Sequence, residues 1–140
     1  MLHLKKNKNI SFPELKDLFE QCNTESKDII AFVYSGFKKA SHVVSIYDNK
    51  KLIGVIRSCD DGSWSANIDF LLVHKDYRNK GIGTKLVKEL LKDIGSIFYI
   101  TVATDIKLLS FYEKFGFIEN GISMQIKNSH SKKIQPTRVG

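Results

Sequence analysis

The sequence is poor in cysteine and proline and contains no long apolar run. Its 140 residues include only two cysteines, Cys22 and Cys59, and two prolines. Two cysteines so far apart form neither a CxxC pair nor a disulfide framework, so we expect reduced thiols, no metal and a cytoplasmic protein. No window approaches the roughly 20 apolar residues of a membrane span, and no apolar segment of the signal-peptide type follows the basic N-terminus. These absences argue against a membrane protein and against a disulfide-rich secreted domain.

Composition predicts one domain followed by a basic tail. Hydrophobic residues make up 42% of the chain, which suffices for the core of one domain of this length. The formal net charge is +7, and the last 14 residues carry +4 of it without a single acid. We predict a domain over residues 1–127 and a mobile tail over 128–140. The excess charge predicts an anionic ligand, for which a phosphorylated coenzyme is sufficient; nucleic acid is not required.

Periodicity and turn residues predict an α/β domain. Ser11 followed by Pro13 and Glu14 is typical of the start of a helix, with Ser11 as the N-cap. Further apolar patterns of period 3.6 or 2 predict the other elements. The predicted helices are 12–22, 26–39, 81–94 and 106–115, and the predicted strands are 42–47, 51–58, 64–73, 97–103 and 121–126. One more strand is predicted ahead of the first helix.

The most informative segment is residues 78–84, which read Arg-Asn-Lys-Gly-Ile-Gly-Thr. The segment lies between a buried strand and an amphipathic helix, so the unpaired N–H groups of the helix N-terminus should converge on an anion. Gly81 and Gly83 let a pyrophosphate approach the backbone, while Arg78 and Lys80 add positive charge. The predicted ligand groups are the side chains of Arg78 and Lys80 and the backbone N–H groups of Asn79, Lys80, Gly81, Ile82, Gly83 and Thr84.

Two other phosphate-binding motifs do not match. The dinucleotide motif G-x-G-x-x-G would need glycine or alanine where the chain has Leu86, and the P-loop motif is absent. What remains is R-x-x-G-x-G after a strand, followed by Phe-Tyr-Glu-Lys-Phe-Gly-Phe at residues 111–117. In this order and spacing, the two motifs resemble those of the GCN5-related N-acetyltransferases, the GNAT family.

The resemblance implies a fold, a cosubstrate and a reaction. The fold would be that of acyl-CoA N-acyltransferases: a mixed central sheet, flanked by helices, whose central parallel strands separate at their C-terminal ends. Acetyl-CoA would place its pyrophosphate on residues 78–84 and its pantetheine arm along the backbone of Leu72 and Val73. The acetyl group would pass directly to a primary amine in a ternary complex. One departure is Thr104-Asp105, where the family often has an asparagine that contacts the pantetheine arm.

Two side chains are candidates for catalysis. Tyr112 lies in the second motif, and a phenol, protonated at neutral pH, can donate a proton to the departing thiolate. On composition alone Tyr112 would be a core aromatic, so its proposed role as proton donor depends on its place in the motif. Asp69 is two residues from Leu71 and four from Val73, which predicts that the three side chains share one face of the strand. The Asp69 carboxylate would then point at the acceptor. It would either accept a proton from the ammonium through water or attract the ammonium by its charge. His74 is a second candidate base, although a histidine in a surface turn is the plainer interpretation.

The acceptor and two rival functions stay open. A small amine, an aminoglycoside-like antibiotic, a polyamine, an amino acid or a protein amine would all suit this chemistry, and a homodimer is compatible with the sequence. One rival is an acyl-CoA sensor that binds without turnover. The other is a nucleic-acid-binding module, which the sequence disfavours because aromatics are scarce among its cations.

Overall fold

A five-stranded sheet with helices on both faces forms the framework of the molecule. The computed structural model describes residues 1–22 and 29–127. Its strands are β1 (Leu2–Lys5), β2 (His42–Asp48), β3 (Lys51–Asp60), β4 (Ser65–Val73) and β5 (Tyr99–Val102), and its helices are α1 (Phe12–Cys22), α2 (Ile30–Lys39), α3 (Ile82–Ile94) and α4 (Leu109–Glu113). Short 3₁₀ turns at Lys75–Tyr77 and Ile106–Leu108 precede α3 and α4. The predicted α/β class is confirmed.

The strands follow the order β1-β2-β3-β4-β5 across the sheet. Neighbours from β1 to β4 are antiparallel, whereas β4 and β5 are parallel and α3 connects them. A parallel pair needs such a crossover, because the chain has to return to the same end of the sheet. The first strand, β1, pairs with β2 through Leu2 and Asp48 at one end of the ladder.

The sheet separates two apolar cores. On one face, α3 buries Leu86, Leu90 and Ile94 against side chains of β2, β3 and β4. On the other face, α1 and α2 bury Leu18 and Phe37 against the same strands. Because both faces of β2 and β3 are covered, these strands read as nearly continuous apolar runs, as is usual for central strands.

The start of α1 confirms the helix signal in the sequence. The Ser11 N–H donates to Glu14 Oε2 at 2.9 Å, and the Glu14 N–H donates to Ser11 Oγ at 3.3 Å. These reciprocal bonds form a capping box, which satisfies two backbone donors that the helix itself leaves unpaired. The helix that follows covers Phe12–Cys22, the predicted range.

Other predicted boundaries need correction. The start of the helix predicted over 26–39 lies outside the described residues, and the described part, α2, ends at Lys39 as predicted. The helix predicted over 106–115 is a 3₁₀ turn followed by the short α4. Residues 121–127 form no strand, and Ile122 and Met124 are over 90% exposed. An alternating pattern specifies a strand only where a neighbouring strand pairs its backbone, and no ladder includes this segment.

The capping box yields a prediction about stability. Replacing Ser11 with alanine removes the acceptor for the Glu14 N–H and should lower the free energy of unfolding by about 1 kcal/mol. Glu14→Gln is the matched control, because glutamine keeps an acceptor for the Ser11 N–H and should cost less. Urea denaturation of both variants measures the difference; equal losses would contradict the capping role of the Ser11 hydroxyl.

Candidate active site

A gap opens in the sheet where β4 and β5 separate. The two strands pair from Ser65 opposite Tyr99 to Ile68 opposite Val102, and β5 ends there. Beyond Ile68, β4 continues to Val73, and among residues 1–22 and 29–127 its only neighbouring strand there is β3. Its backbone groups on the other side are therefore left without a strand partner. The separation of the central parallel strands, expected from the resemblance, is confirmed.

The register of the β3–β4 ladder decides which backbone groups face this gap. The His74 N–H donates to Ile53 O at 2.8 Å, and Val73 and Leu72 pair opposite Gly54 and Val55. Backbone groups of successive residues alternate between the two sides of an antiparallel strand. Those of Val73 therefore point into the gap, whereas those of Leu72 point at β3. The register favours the predicted contact of Val73 with a pantetheine arm and argues against the one predicted for Leu72.

Two side chains meet at the Val73 carbonyl. Cys22 Sγ, at the end of α1, donates to Val73 O at 3.1 Å, and Arg78 Nε donates to the same oxygen at 3.2 Å. Burial raises the pKa of the Cys22 thiol, although Arg78 works against that shift, so the thiol remains a protonated donor. Arg78 thus ties the 78–84 loop to the end of β4. The contact with Cys22 was not foreseen, because 51 residues separate it from Val73.

The 78–84 loop leads into α3 with its backbone donors unpaired. The first bond of α3 runs from the Lys85 N–H to Gly81 O at 3.0 Å, which leaves the N–H groups of Ile82, Gly83 and Thr84 without a partner in the helix. Within the part of the chain that the structure describes, no side chain caps this terminus, and its first turn contains no acid. In contrast to α1, which caps itself, α3 has free donors and a positive dipole end, the features that suit an anion-binding helix N-terminus.

The two glycines of the loop serve different purposes. Gly81 has a φ of 80°, a conformation that disfavours any side chain, and a Cβ built there meets no atom within 4 Å. The space in front of Gly81 is therefore open. Gly83 lies within the helix, and its Cβ would lie 3.6 Å from the Phe111 ring and 3.9 Å from Leu71 Cδ2, both ordinary contacts. Gly83 therefore brings the helix start, β4 and α4 close together.

The residues just before the loop hold it against the sheet. The Tyr77 hydroxyl donates to Asp48 Oδ2 at 2.6 Å, and Lys80 Nζ lies 5.6 Å from the centre of the Tyr77 ring. The His74 ring is 3% exposed, and its Nδ1 accepts the Asp76 N–H. The interpretation of His74 as a surface histidine is therefore wrong: its ring is buried because it caps the turn that begins the loop.

Tyr112 lies at the base of α4, beside the gap. Its ring is 5% exposed and makes edge-to-face contacts with Phe111 and Phe117. Burial raises the pKa of the Tyr112 phenol, so the hydroxyl stays protonated well above neutral pH. Tyr112 also lines a cavity of about 950 Å³ together with Asn67 and Thr101, which lie on β4 and β5. The ring is therefore part of the core and also lines this cavity, which does not include Val73 or the 78–84 loop.

A β-bulge reverses the predicted orientation of Asp69. Val55 pairs with Leu72 and Arg57 with Asp69, so β4 has one more residue than β3 over this stretch. Phe70 takes a φ of 53°, which is unusual for a residue with a side chain. The extra residue resets the alternation: Leu71 packs on the α3 face, whereas Asp69 turns toward α2. The prediction that Asp69 shares a face with Leu71 and Val73 is wrong for this reason.

On the α2 side, Asp69 forms an ion pair with Arg57. Both carboxylate oxygens accept from the guanidinium, Oδ1 from Nε and Oδ2 from Nη2, the latter at 3.1 Å. The Asp69 side chain is 32% exposed and that of Arg57 is 14% exposed. Burial would lower the pKa of the guanidinium, but the carboxylate outweighs it and the pKa is raised. No sequence motif pointed to Arg57.

The structure brings most of the predicted residues to one end of the sheet. Val73, the 78–84 loop and the start of α3 are contiguous, and Phe111 links them to α4 and so to Tyr112. Asp69 lies on the opposite face of β4, at the start of the gap. Among residues 1–22 and 29–127, no cluster of three metal-ligating side chains occurs, and no helix is long and apolar enough to cross a membrane.

This combination of a mixed sheet, separated parallel strands and an uncapped α3 defines an α/β domain with an open helix N-terminus beside a gap in its sheet. A family model described as the acetyltransferase (GNAT) domain matches residues 15–131. The chain therefore belongs to the GNAT family of acetyltransferases, and the expectation raised by the two motifs is confirmed.

Curated relatives agree with this assignment. An uncharacterized N-acetyltransferase, ycf52, of Pyropia yezoensis is 28% identical over 125 residues, which cover 85% of this chain and 71% of the relative. A chloroplastic GCN5-related N-acetyltransferase 2 of Arabidopsis thaliana is 36% identical over 73 residues, covering 49% of this chain and 27% of the relative. Because a relative of this kind resides in the chloroplast, the cytoplasmic location expected for this chain stays a prediction.

Solved structures agree on the fold. A GNAT-family acetyltransferase of Streptococcus pneumoniae superimposes with a TM-score of 0.75 at 22% identity, covering 89% of this chain and 98% of the other. The ribosomal-protein-S18-alanine N-acetyltransferase of Escherichia coli gives a TM-score of 0.74 at 14% identity, with coverages of 95% and 88%. At such identities the likeness concerns the fold alone.

The two loop glycines should respond oppositely to alanine. Gly83→Ala should raise the free energy of unfolding by about 0.5 to 1 kcal/mol, because helical backbone suits alanine and the new methyl group meets only ordinary contacts. Gly81→Ala should lower it by about 1 kcal/mol, because φ of 80° strains any side chain. Thermal unfolding of the ligand-free protein compares them; destabilisation by Gly83→Ala would contradict the packing described here.

Proposed function

We propose that the protein transfers the acetyl group of acetyl-CoA to a primary amine. The observation that carries this proposal is the uncapped N-terminus of α3, which directs three free N–H groups into open space at Gly81. A pyrophosphate fits there because its charge complements the helix dipole and the nearby Arg78 and Lys80. Acetyl-CoA supplies an activated acyl group as a thioester.

The remaining site residues are assigned by their position along the gap. The 78–84 loop would hold the pyrophosphate, and the gap-facing N–H of Val73 would donate to the pantetheine arm. By the same alternation, Leu71 is a better second contact than Leu72. This arrangement orients the thioester beside β4, at the end where Asp69 and Tyr112 approach the gap from opposite faces of the sheet.

Transfer requires one proton to leave the amine and one to reach the sulfur. The amine nitrogen forms its bond to the acetyl carbon as the carbon–sulfur bond breaks, and the departing thiolate takes a proton. Tyr112 is the proposed donor, since burial keeps its phenol protonated. Asp69 is the proposed carboxylate on the acceptor side, and it accepts the proton that the ammonium loses, directly or through water.

Substitution of Gly81 tests the coenzyme site. Gly81→Val should abolish or strongly reduce acetyl-CoA binding, because the new side chain fills the space in front of the free N–H groups. Gly62→Val is the matched control: Gly62 also has a positive φ, 78°, and open surroundings, but it lies in the turn between β3 and β4. The two variants should therefore share the same backbone strain. Calorimetric titration with acetyl-CoA measures the affinities, and equal affinities would refute the proposed pyrophosphate site.

Substitution of Tyr112 tests the proton donor. Tyr112→Phe removes one hydroxyl and keeps the ring that packs against Phe111 and Phe117, so the melting temperature should change little. If the phenol protonates the thiolate, kcat should fall by about 10² to 10⁴, with acetyl-CoA affinity retained. Single-turnover measurements should accompany steady-state assays so that the chemical step is observed. Wild-type rates in both assays would reduce Tyr112 to a core aromatic.

A further inference from the structure

In the ion pair between Arg57 and Asp69, the guanidinium packs against α2 and the Phe70 ring. The guanidinium carbon lies 5.9 Å from the centre of the Phe37 ring and 5.6 Å from that of Phe70, both within the range of cation–π attraction. On the α2 side, a Cβ built at Gly36 would lie 2.6 Å from Arg57 Nη1. No side chain at position 36 is compatible with the observed place of the guanidinium.

Glycine at position 36 is unfavourable for α2 itself. A glycine inside a helix is less stable than alanine, because it loses more backbone freedom on folding. The Phe70 backbone, at φ of 53°, is a second unfavourable feature at the same place. These two unfavourable features are explained if the fold holds the Arg57 guanidinium between α2 and β4. Together they position the Asp69 carboxylate, which the guanidinium binds.

Within the pair, Asp69 is the member that can meet a ligand. Arg57 is largely covered by α2 and the two rings, whereas Asp69 is about twice as exposed. A carboxylate has about four acceptor sites, and the guanidinium occupies two of them. The others remain available at the residue that directly follows the last paired position of β4, where the gap begins.

We infer that Arg57 is a positioning residue of the acetyl transfer, which fixes the Asp69 carboxylate at the start of the gap for contact with the acceptor amine. This inference rests on the proposed function. Arg57 acts through Asp69 alone, and Gly36 acts through Arg57 by leaving room for its guanidinium. The fork of the guanidinium matters as well as its charge, because two parallel hydrogen bonds fix the orientation of a carboxylate and a point charge does not.

A double-mutant cycle on the full chain tests the inference, with an amine that the wild-type protein acetylates. Arg57→Met and Asp69→Asn should each lower kcat/KM for the amine by about 10-fold to 100-fold, the usual effect of a misplaced group. The double variant should lose no more than Asp69→Asn alone. Acetyl-CoA affinity should stay at the wild-type value in all three. Losses that multiply, or an unaffected Arg57→Met, would overturn the inference.

Two further variants separate positioning from charge and from folding. Arg57→Lys should remain closer to Arg57→Met than to the wild type, and full activity would show that charge alone suffices and overturn the inference. Gly36→Ala should displace the guanidinium and lower kcat/KM with no change of charge, whereas its neighbour Ser35→Ala should not. An active Gly36→Ala would likewise overturn the inference.

Asp93→Asn controls for the loss of an ion pair as such. Asp93 pairs with Lys6 on the surface at 31% exposure, close to the value for Asp69, and lies at the far end of α3. Its substitution should leave the kinetics unchanged. A wild-type protein that neither binds acetyl-CoA nor releases thiol with any amine overturns both proposals. If the wild type binds acetyl-CoA and releases thiol, and Arg57→Met has the same kcat/KM, only this inference is overturned.

Discussion

The β-bulge at Phe70 is the constraint on which the site depends. One additional residue in β4 bends that strand and changes its alternation, two effects that are inseparable because they have the same cause. The bend accompanies the end of pairing with β5 after Ile68, so the backbone of Val73 is left facing a gap. The altered alternation turns Asp69 toward α2. A regular strand would instead place the Asp69 carboxylate on the α3 face, together with Leu71 and Val73.

Each of the two cores supports a different part of the proposed site. The α3 core, on one face of the sheet, anchors the helix whose N-terminus faces the proposed pyrophosphate position. The core under α1 and α2 holds Phe37, which supports the guanidinium of Arg57. In the proposed site, β4 runs between the two faces and contributes backbone to acetyl-CoA and a side chain to the acceptor amine. The proposed direct transfer requires the two ligands to meet, and their shared contacts with one strand would bring them to the same place.

Local signals predicted the framework well. The capping box at Ser11, the apolar period of α3 and the glycines of the 78–84 loop are all encoded in a few neighbouring residues, and the structure has each of them. Long-range features could not be predicted in this way. The bulge at Phe70 depends on the register between two strands, which no local pattern specifies, and it inverted the orientation expected for Asp69.

The same distinction explains the residues that sequence reasoning missed. Arg57 is one of many cations in the sequence, and Cys22 is a single thiol at the end of a helix. Each gains its position from a partner far along the chain: Asp69 lies 12 residues away, and Val73 lies 51 residues away. Glycines predicted functional positions better, although only in part. Gly81 belongs to a recognisable motif, whereas Gly36 lies in a predicted helix and belongs to no motif.

Gly81 and Gly36 differ in what occupies the space that each leaves by having no side chain. The space at Gly81 is open in the structure, and in the proposed site a molecule from outside the chain fills it. The space at Gly36 is filled by the chain's own guanidinium. Open space alone does not indicate a ligand, since Gly62 is equally open; at Gly81 the free N–H groups of α3 lie beside that space. A glycine whose space is filled by a charged side chain indicates which residue the fold holds in place, and here that residue is bonded to the carboxylate at the start of the gap.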